Sequence, residues 1–218
     1  MMIVSVNNIK LNFEKSGNGQ ALILLHGNGE DNKIFDKAIP ILEKHFTVYA
    51  IDLRGHGSSE EIKEYHYLDM VEDIKEFIIS ENIAGPIVYG FSDGGIIALL
   101  LASMYPKLLS KIIVSGANIN PKGLKAKWII LFKVMYLIKK DSKVKMMLEE
   151  PNISIEMLNK IEIPTVVLVG SRDVIKENHT KLIVDNIKNC KLQILDGEDH
   201  GSYIIHNGKI ANIILENT

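Results

Sequence analysis

The segment Ile87-Val88-Tyr89-Gly90-Phe91-Ser92-Asp93-Gly94-Gly95-Ile96-Ile97-Ala98 decides how this chain folds. An apolar run enters a Gly-x-Ser-x-Gly sequence and a second apolar run leaves it, which predicts a strand, a sharp turn and a helix. Glycine at positions 90 and 94 leaves room at that corner, where side chains would collide with neighbouring backbone. The unpaired N–H groups and the positive dipole end of the helix then lie beside Ser92. This arrangement predicts that Ser92 is a nucleophile.

Composition limits the class of protein. The 218 residues are enough for one well-buried core and few for two independent domains. A net charge of −2 provides no general polyanion-binding surface, so we expect no nucleic-acid partner. The single cysteine, Cys190, cannot form an internal disulfide, and no histidine–cysteine spacing suggests a metal site. We therefore expect no metal or cofactor and a cytoplasmic location.

Neither the first twenty residues nor the longest apolar stretch has the pattern of a targeting or membrane-spanning segment. The first twenty residues lack the charged start, apolar run and cleavage site of a signal peptide. Residues 128–138 are interrupted by Lys133 and fall short of the roughly 20 apolar residues that span a bilayer. We expect no secretion and no stable membrane insertion.

Short apolar runs alternate with helical patterns along most of the chain. Residues 3–6 and 9–13 alternate apolar and polar side chains around Asn7-Asn8, which predicts an antiparallel hairpin. Helical periodicity follows most of the later runs, at residues 67–81, 95–105 and 179–188 among others. The alternation predicts an α/β fold with a mostly parallel sheet and helices on both faces. The later predicted strands are residues 21–25, 46–51, 86–89, 111–115, 165–169 and 191–195.

Residues 118–160 break this alternation because they contain helical patterns and no convincing strand. We predict a core of residues 1–117 and 161–218 and a small helical cap inserted at 118–160. Between residues 118 and 150, eight lysines outnumber three acidic residues, a local charge of +5 that leaves −7 for the rest of the chain. The apolar residues 128–138 predict a helix sandwiched between the core and another surface. Three roles stay open for it: a lid over a small apolar pocket, a contact between two copies of the chain, or a contact with lipid.

Chain order assembles a candidate site, because sheet enzymes place catalytic groups at the carboxyl ends of strands. The four loops that qualify contain His26-Gly27-Asn28-Gly29, Ser92, Gly170-Ser171-Arg172-Asp173, and the segment from Asp196 to His200. Serine, then aspartate, then histidine is the order of catalytic residues in one known fold.

These four loop segments and the sequence Asp52-Leu53-Arg54-Gly55-His56-Gly57-Ser58-Ser59 resemble the corresponding motifs of the α/β-hydrolase superfamily. The resemblance covers nearly the whole chain. The resemblance implies that Ser92 is the nucleophile, that His200 is the general base and later acid, and that Asp173 orients the imidazole. It also implies an oxyanion hole made by the backbone N–H groups of Asn28 and Asp93. One departure is the absence of the proline that many relatives have shortly after this aspartate.

Other residues compete for these roles, and we assign them structural ones. Asp196 and Asp199 share the loop of His200 and would have to turn back onto its ring. We expect hydrogen bonding within turns for His26 and His56, and a loop-fixing pair for Asp52 and Arg54. His179 and His206 fall on predicted helices, His45 and His66 have no accompanying motif, and Cys190 is expected to be an inert, partly buried thiol.

A serine, a histidine base and two N–H donors carry out acyl transfer to water, so we predict a serine hydrolase acting on small-molecule esters, thioesters or activated amides. The alternatives are a ligand-binding or signalling protein with low turnover, and a hydrolase of carbon–carbon bonds. The residues around Ser92 are also similar to those of the biphenyl hydrolase-like (valacyclovir hydrolase) group. There an acidic residue after the nucleophile helps to hold a substrate ammonium, a role that Asp93 would take here. The alternative for Asp93 is a hydrogen-bond network near the helix N-terminus.

Overall fold

The computed structural model describes residues 2–218 and contains one eight-stranded sheet, in the order β1-β2-β4-β3-β5-β6-β7-β8. Strands β3 to β8 pair in parallel, whereas β1 pairs with β2 and β2 with β4 in antiparallel fashion. The mostly parallel sheet predicted from the sequence is therefore confirmed. The strands are β1 (Met2–Val6), β2 (Ile9–Ser16), β3 (Gln20–Leu25), β4 (Phe46–Ile51), β5 (Ile87–Phe91), β6 (Lys111–Ser115), β7 (Thr165–Gly170) and β8 (Cys190–Leu195).

The first two strands form the predicted hairpin. Asn7 and Asn8 connect them with φ angles of 44° and 61°, a left-handed conformation that asparagine tolerates better than most residues. The register pairs Val6 with Ile9 next to the turn and Met2 with Phe13 at the other end. This hairpin extends the parallel sheet through the antiparallel pairing of β2 with β4.

Among residues 2–218, eight α-helices accompany the sheet, and apolar side chains pack on both of its faces. One buried cluster joins α2 and α3 to the sheet, and a second joins α1 and α8 to the opposite side. Strand residues such as Leu24 and Leu25 are fully buried because both faces are covered. The helices are α1 (Ile39–Leu42), α2 (Tyr67–Ser80), α3 (Asp93–Met104), α4 (Ala126–Lys139), α5 (Ser142–Glu149), α6 (Ile155–Asn159), α7 (Glu177–Asp185) and α8 (Lys209–Glu216).

The stretch predicted as a cap contains α4, α5 and α6 and no named strand. Helix α4 is unusual because none of its residues is buried. The division of the chain into core and cap at residues 118 and 160 stays a prediction. None of the helices within residues 2–218 is both long and apolar enough to cross a membrane.

The prediction that His206 lies on a helix is wrong. His206 has a φ of 50° and ends a turn, and helix α8 begins only at Lys209. The Asn207 side chain accepts a hydrogen bond from the Lys209 backbone N–H at 2.9 Å, which helps to start the helix after the turn. By contrast, His179 lies on α7 as predicted.

Candidate active site

The corner between β5 and α3 holds Ser92 in an unusual backbone conformation. Its φ of 52° and ψ of −112° lie outside the regions that side-chain-bearing residues normally occupy, and such residues cluster at functional sites. A Cβ atom at Gly90 would lie 2.1 Å from the Gly94 carbonyl oxygen, and one at Gly94 would lie 2.3 Å from that of Leu25. The sequence-based prediction that both positions require glycine is confirmed.

Ser92, His200 and Asp173 meet in one hydrogen-bonded chain. The Ser92 Oγ lies 3.1 Å from His200 Nε2, and His200 Nδ1 lies 2.8 Å from Asp173 Oδ1. Asp173 is 2% exposed, so its carboxylate is held away from water beside the imidazole. Asp173 follows Ser92 by 81 residues, and His200 follows Asp173 by 27 residues, so the fold brings together three side chains that are distant in sequence.

Neighbouring groups fix the orientation of this chain of hydrogen bonds. The Phe91 ring lies 5.0 Å from the His200 ring, and a side chain at Gly116 would collide with that imidazole. Asp173 Oδ1 also accepts a hydrogen bond from the Ile175 backbone N–H at 2.9 Å. This N–H helps to hold the carboxylate in place beside the His200 ring.

The two predicted oxyanion donors lie at the ends of neighbouring strands. Asp93 begins α3, and its N–H therefore belongs to the first turn, where no intrahelical acceptor exists. Within residues 2–218 the Asn28 backbone N–H likewise donates to no protein acceptor. Two unpaired N–H groups that flank a nucleophile can stabilise an oxyanion.

A cavity of about 550 Å³ opens over these groups. Its wall combines apolar side chains from the core and from α4 with charged side chains of both signs. Among residues 2–218, no cluster of three or more metal-ligating side chains has the geometry of a metal site. The wall includes Glu30, Phe91, Ser92, Asp93, Lys125, Trp128, Phe132, Met147, Arg172, Asp173, His200 and Ile205.

The family model for the alpha/beta hydrolase fold matches residues 20–135, which is more than half of the chain. This chain belongs to the α/β hydrolase family. Over 234 aligned residues the hydrolase is 27% identical to the serine hydrolase BPHL of Mus musculus, an alignment that covers 92% of this chain and 80% of that protein. The family and this relative support hydrolase activity.

Two further comparisons agree with this family. The hydrolase is 30% identical over 108 residues to the pimeloyl-[acyl-carrier protein] methyl ester esterase of Vibrio cholerae, which covers 50% of this chain and 41% of the esterase. The solved structure of bromoperoxidase from Bacillus anthracis superposes with a TM-score of 0.86 at 19% identity, covering 99% of this chain and 98% of that chain. At that identity the second match shows the fold alone.

The Asp93 side chain of the hydrolase belongs to a buried hydrogen-bond network. Its Oδ1 accepts from the Tyr67 hydroxyl at 2.7 Å, and its Oδ2 accepts from the Asn28 side-chain amide at 2.9 Å. Burial raises the pKa of this carboxyl, because the charged form loses its hydration. Each oxygen has a partner within the protein, so Asp93 takes part in a hydrogen-bond network near the start of α3. The preference for a substrate ammonium stays a prediction.

Glu30 is a group at this site that the sequence analysis missed. It lines the cavity, and its Oε2 accepts the Gly27 backbone N–H at 2.9 Å in the loop that also contains Asn28. Burial raises its pKa to about 7. No local pattern marks it, because its burial comes from residues that are distant in sequence. Its position could have indicated a role at the site, because Glu30 lies two residues after Asn28 in the loop that follows β3.

The competing residues of the hydrolase have structural roles. Asp199 accepts the backbone N–H groups of Gly201 and Ser202, and Asp196 contacts Ser171, so neither reaches the His200 ring. His26 is fully buried, with Nδ1 2.8 Å from the Gly27 carbonyl oxygen and Nε2 3.0 Å from the Leu53 nitrogen, and burial lowers its pKa to about 4. These interactions confirm that His26 serves hydrogen bonding within its turn.

His56 and Cys190 also have the structural roles predicted for them. His56 Nδ1 lies 2.9 Å from the Arg54 carbonyl oxygen. Cys190 is half-buried, and burial raises its pKa to about 11, which keeps the thiol protonated and inert.

The predicted pair of Asp52 and Arg54 is wrong, although both residues do fix loops. Asp52 accepts hydrogen bonds from Asn12, Asn32 and Ser58. Arg54 Nε instead donates to Asp73 on α2 at 2.6 Å, and the Arg54 and Asp73 side chains are 8% and 1% exposed. Arg54 follows Asp52 closely in the sequence, but its ion-pair partner is Asp73, which lies on α2, the next helix of the chain after Arg54.

Proposed function

We propose that this hydrolase cleaves carboxylic esters of small molecules, with thioesters and activated amides as chemically related substrates. The observation that carries the proposal is the hydrogen-bonded chain from Ser92 through His200 to Asp173 at the wall of the cavity. The strained corner at Ser92 and the esterase name of the Vibrio cholerae relative support it.

The reaction begins when His200 Nε2 takes the proton from Ser92 Oγ as that oxygen attacks the ester carbonyl carbon. Asp173 accepts a hydrogen bond from His200 Nδ1 and stabilises the imidazolium that forms. The backbone N–H groups of Asn28 and Asp93 donate to the oxyanion, and losing one such donor typically costs about 3 kcal/mol of transition-state stabilisation.

The intermediate then collapses, and the bond from carbon to the alcohol oxygen breaks. His200 returns its proton to the departing alcohol, which leaves the acyl group on Ser92. Water attacks the acyl-enzyme with His200 again as the base, and the carboxylic acid leaves. Neither step needs a redox partner, because every bond breaks heterolytically.

The cavity favours a compact substrate of mixed character. Phe91, Trp128 and Phe132 supply apolar surface. The positive charges of Lys125 and Arg172 face the same cavity as acidic side chains such as Asp199, so neither sign predominates. A volume of about 550 Å³ lies within the range of ordinary small-molecule sites, which is roughly 300–1,000 Å³. Neutral acyl esters of modest size therefore fit this proposal best.

Steady-state kinetics on a substrate panel test the proposal. The panel contains a simple aryl ester, an acyl thioester, an activated anilide and a dienone that is cleaved at a carbon–carbon bond. We expect ester turnover on the order of 10 per second, which is typical of enzymes, and a loss of at least about 10⁴-fold in Ser92→Ala. Turnover of the dienone alone would replace the ester proposal with carbon–carbon hydrolysis. Saturable binding without turnover of any compound would favour the ligand-binding alternative.

Replacing Asp93 separates the two interpretations of its carboxylate. Asp93→Asn keeps the backbone N–H, and we compare the variant on a glycine ester and on the matching acetate ester. An equal change in kcat/KM for both esters supports a structural network. A fall in kcat/KM on the glycine ester alone would show that the Asp93 carboxylate attracts the ammonium group of the substrate.

A further inference from the structure

Helix α4 has two apolar faces, and the protein covers only one of them. Trp128 and Phe132 on the inner face are half-buried and line the cavity. The opposite face, called here the outer face, consists of Ile130, Leu131, Val134, Leu137 and Ile138, which are 63%, 43%, 46%, 66% and 75% exposed. Their spacing of three and four residues makes one continuous apolar stripe. Soluble surfaces usually expose such side chains singly rather than in a stripe.

Positive charge adjoins the outer face. Lys133 follows Ile130 by three residues and precedes Leu137 by four, so it borders the stripe. Lys139 lies at the end of α4, on the side of Trp128 and Phe132. Both lysines are exposed, and neither forms a salt bridge with any acidic side chain of residues 2–218. They belong to the lysine-rich stretch of residues 118–150, whose net charge is +5, whereas the rest of the chain carries −7. Of the three acidic residues in this stretch, Glu150 already binds the His66 side chain and the Tyr67 backbone N–H.

These charges discriminate between the surfaces that could cover the stripe. A second copy of the chain joined through a two-fold axis would place this same positively charged surface against itself, and the two surfaces would repel each other. A bilayer that contains anionic lipids instead offers negative headgroups to the lysines and an acyl boundary to the apolar side chains. Fourteen helical residues measure about 21 Å, enough to lie along a bilayer surface and too short to span it.

We propose that the outer face of α4 binds reversibly to the surface of membranes that contain anionic lipids. In this position the helix that contacts lipid is also the helix that carries Trp128 and Phe132 over the cavity. The proposal concerns binding alone, and it holds whether or not Ser92 acts as a nucleophile.

Co-sedimentation of the full chain with lipid vesicles tests the proposal. One set of vesicles contains phosphatidylcholine alone, and the other an equimolar mixture with phosphatidylglycerol. We expect binding to the mixed vesicles that weakens at high salt, because salt screens the attraction between lysines and headgroups. Ser92→Ala should bind as the wild type does, which separates this test from that of the hydrolase activity.

Substitutions on the outer face identify the contact. Replacing Ile130 and Leu137 by glutamine should weaken binding on the order of tenfold for each residue, because each loses its apolar burial in the lipid boundary. Removing the charge of Lys133 with glutamine should weaken binding to the mixed vesicles about fivefold. The matched controls are Ile79→Gln, at an isolated position that is 57% exposed on α2, and Lys188→Gln, at an exposed site outside the stretch.

All positions changed on the outer face are exposed, so circular dichroism and thermal melting should match the wild type. Equal binding to both kinds of vesicle, or no binding to either, overturns the proposal. Sedimentation of the wild type as a dimer that Ile130→Gln and Leu137→Gln dissociate, without vesicle binding, would assign the outer face to a second copy.

Discussion

Glu30 is a residue of this site whose surroundings bring its pKa close to neutral pH. Its carboxyl has an ordinary pKa of 4.5, which burial raises to about 7 in the folded chain. Because the folded state then holds the proton more tightly than the unfolded state, the contribution of Glu30 to stability is greatest below about pH 4.5. It falls as the pH rises through about 7, where the buried carboxyl becomes charged.

The variant Glu30→Gln tests this effect, since glutamine cannot ionise and can still accept the Gly27 N–H. We expect the variant to gain stability relative to the wild type between about pH 4 and pH 8, by no more than about 3 kcal/mol at 1.36 kcal/mol per pKa unit. Urea denaturation at the two pH values measures the difference. The exposed Glu64→Gln is the control. A stability difference that is independent of pH would contradict the raised pKa of the Glu30 carboxyl.

Asp173 offers a second test at the level of a single residue. Asp173→Asn keeps the size of the side chain and removes the charge that stabilises the His200 imidazolium, so we expect kcat to fall by roughly 10⁴-fold. Asp196 lies in the same loop as His200, and its side chain accepts a hydrogen bond from the Ser171 hydroxyl at 3.4 Å, so Asp196→Asn should retain wild-type kcat. Ester kinetics on both variants provide the comparison. A loss in Asp196→Asn with full activity in Asp173→Asn would reverse the assignment.

The corner between β5 and α3 is the element that exposes Ser92, and its geometry depends on backbone contacts. Gly94→Ala places a Cβ 2.3 Å from the Leu25 carbonyl oxygen, so strands β3 and β5 or helix α3 must shift. We expect a loss of more than about 3 kcal/mol in the free energy of unfolding, or failure to fold. The control Gly197→Ala has a φ of 74° and open space around its Cβ, so the conformational cost is about 1–2 kcal/mol.

Urea denaturation of the two glycine variants measures these losses. Equal losses of unfolding free energy in the two variants would mean that the corner between β5 and α3 tolerates a side chain at position 94. The contact with the Leu25 carbonyl oxygen would then be relieved by a small shift of the backbone. That result would remove the structural reason for glycine at position 94.

The sequence predicts elements that have strong local patterns. Helix α2 is predicted at residues 67–81 and spans Tyr67–Ser80, because its apolar periodicity and its boundaries are local. Helix α3 begins at Asp93, two residues before the predicted start, because the chain turns directly from the strained serine into the helix. The four-residue helix α1 is absent from the predicted elements, since one turn is too short to show periodicity.

Apart from the meeting of the three candidate catalytic residues, contacts between elements are not visible in the sequence. The order of Ser92, Asp173 and His200 along the chain predicts that they meet, because the ends of parallel strands share one edge of the sheet. Nothing in the local pattern reveals that Arg54 pairs with Asp73. The apolar residues of α4 are visible in the sequence, but only the fold shows that its outer face is exposed within the part of the chain that the structure describes.

At the scale of the whole molecule, hydrogen bonds connect the lysine-rich stretch to the site. Glu150 binds the Tyr67 backbone N–H, the Tyr67 hydroxyl binds Asp93, and Asp93 accepts the Asn28 amide. The Asn28 amide also donates to the Lys143 carbonyl oxygen at 3.3 Å. The stretch that carries the positive charge is thus joined to both residues whose backbone N–H groups flank Ser92.

The central claim is that His200 activates Ser92, and labelling with a fluorophosphonate probe tests it most directly. Intact mass is read for the wild type, Ser92→Ala and His200→Ala. The account predicts a single adduct on the wild type and none on either variant. No adduct on the folded wild-type protein, or an adduct that persists in Ser92→Ala, would contradict it.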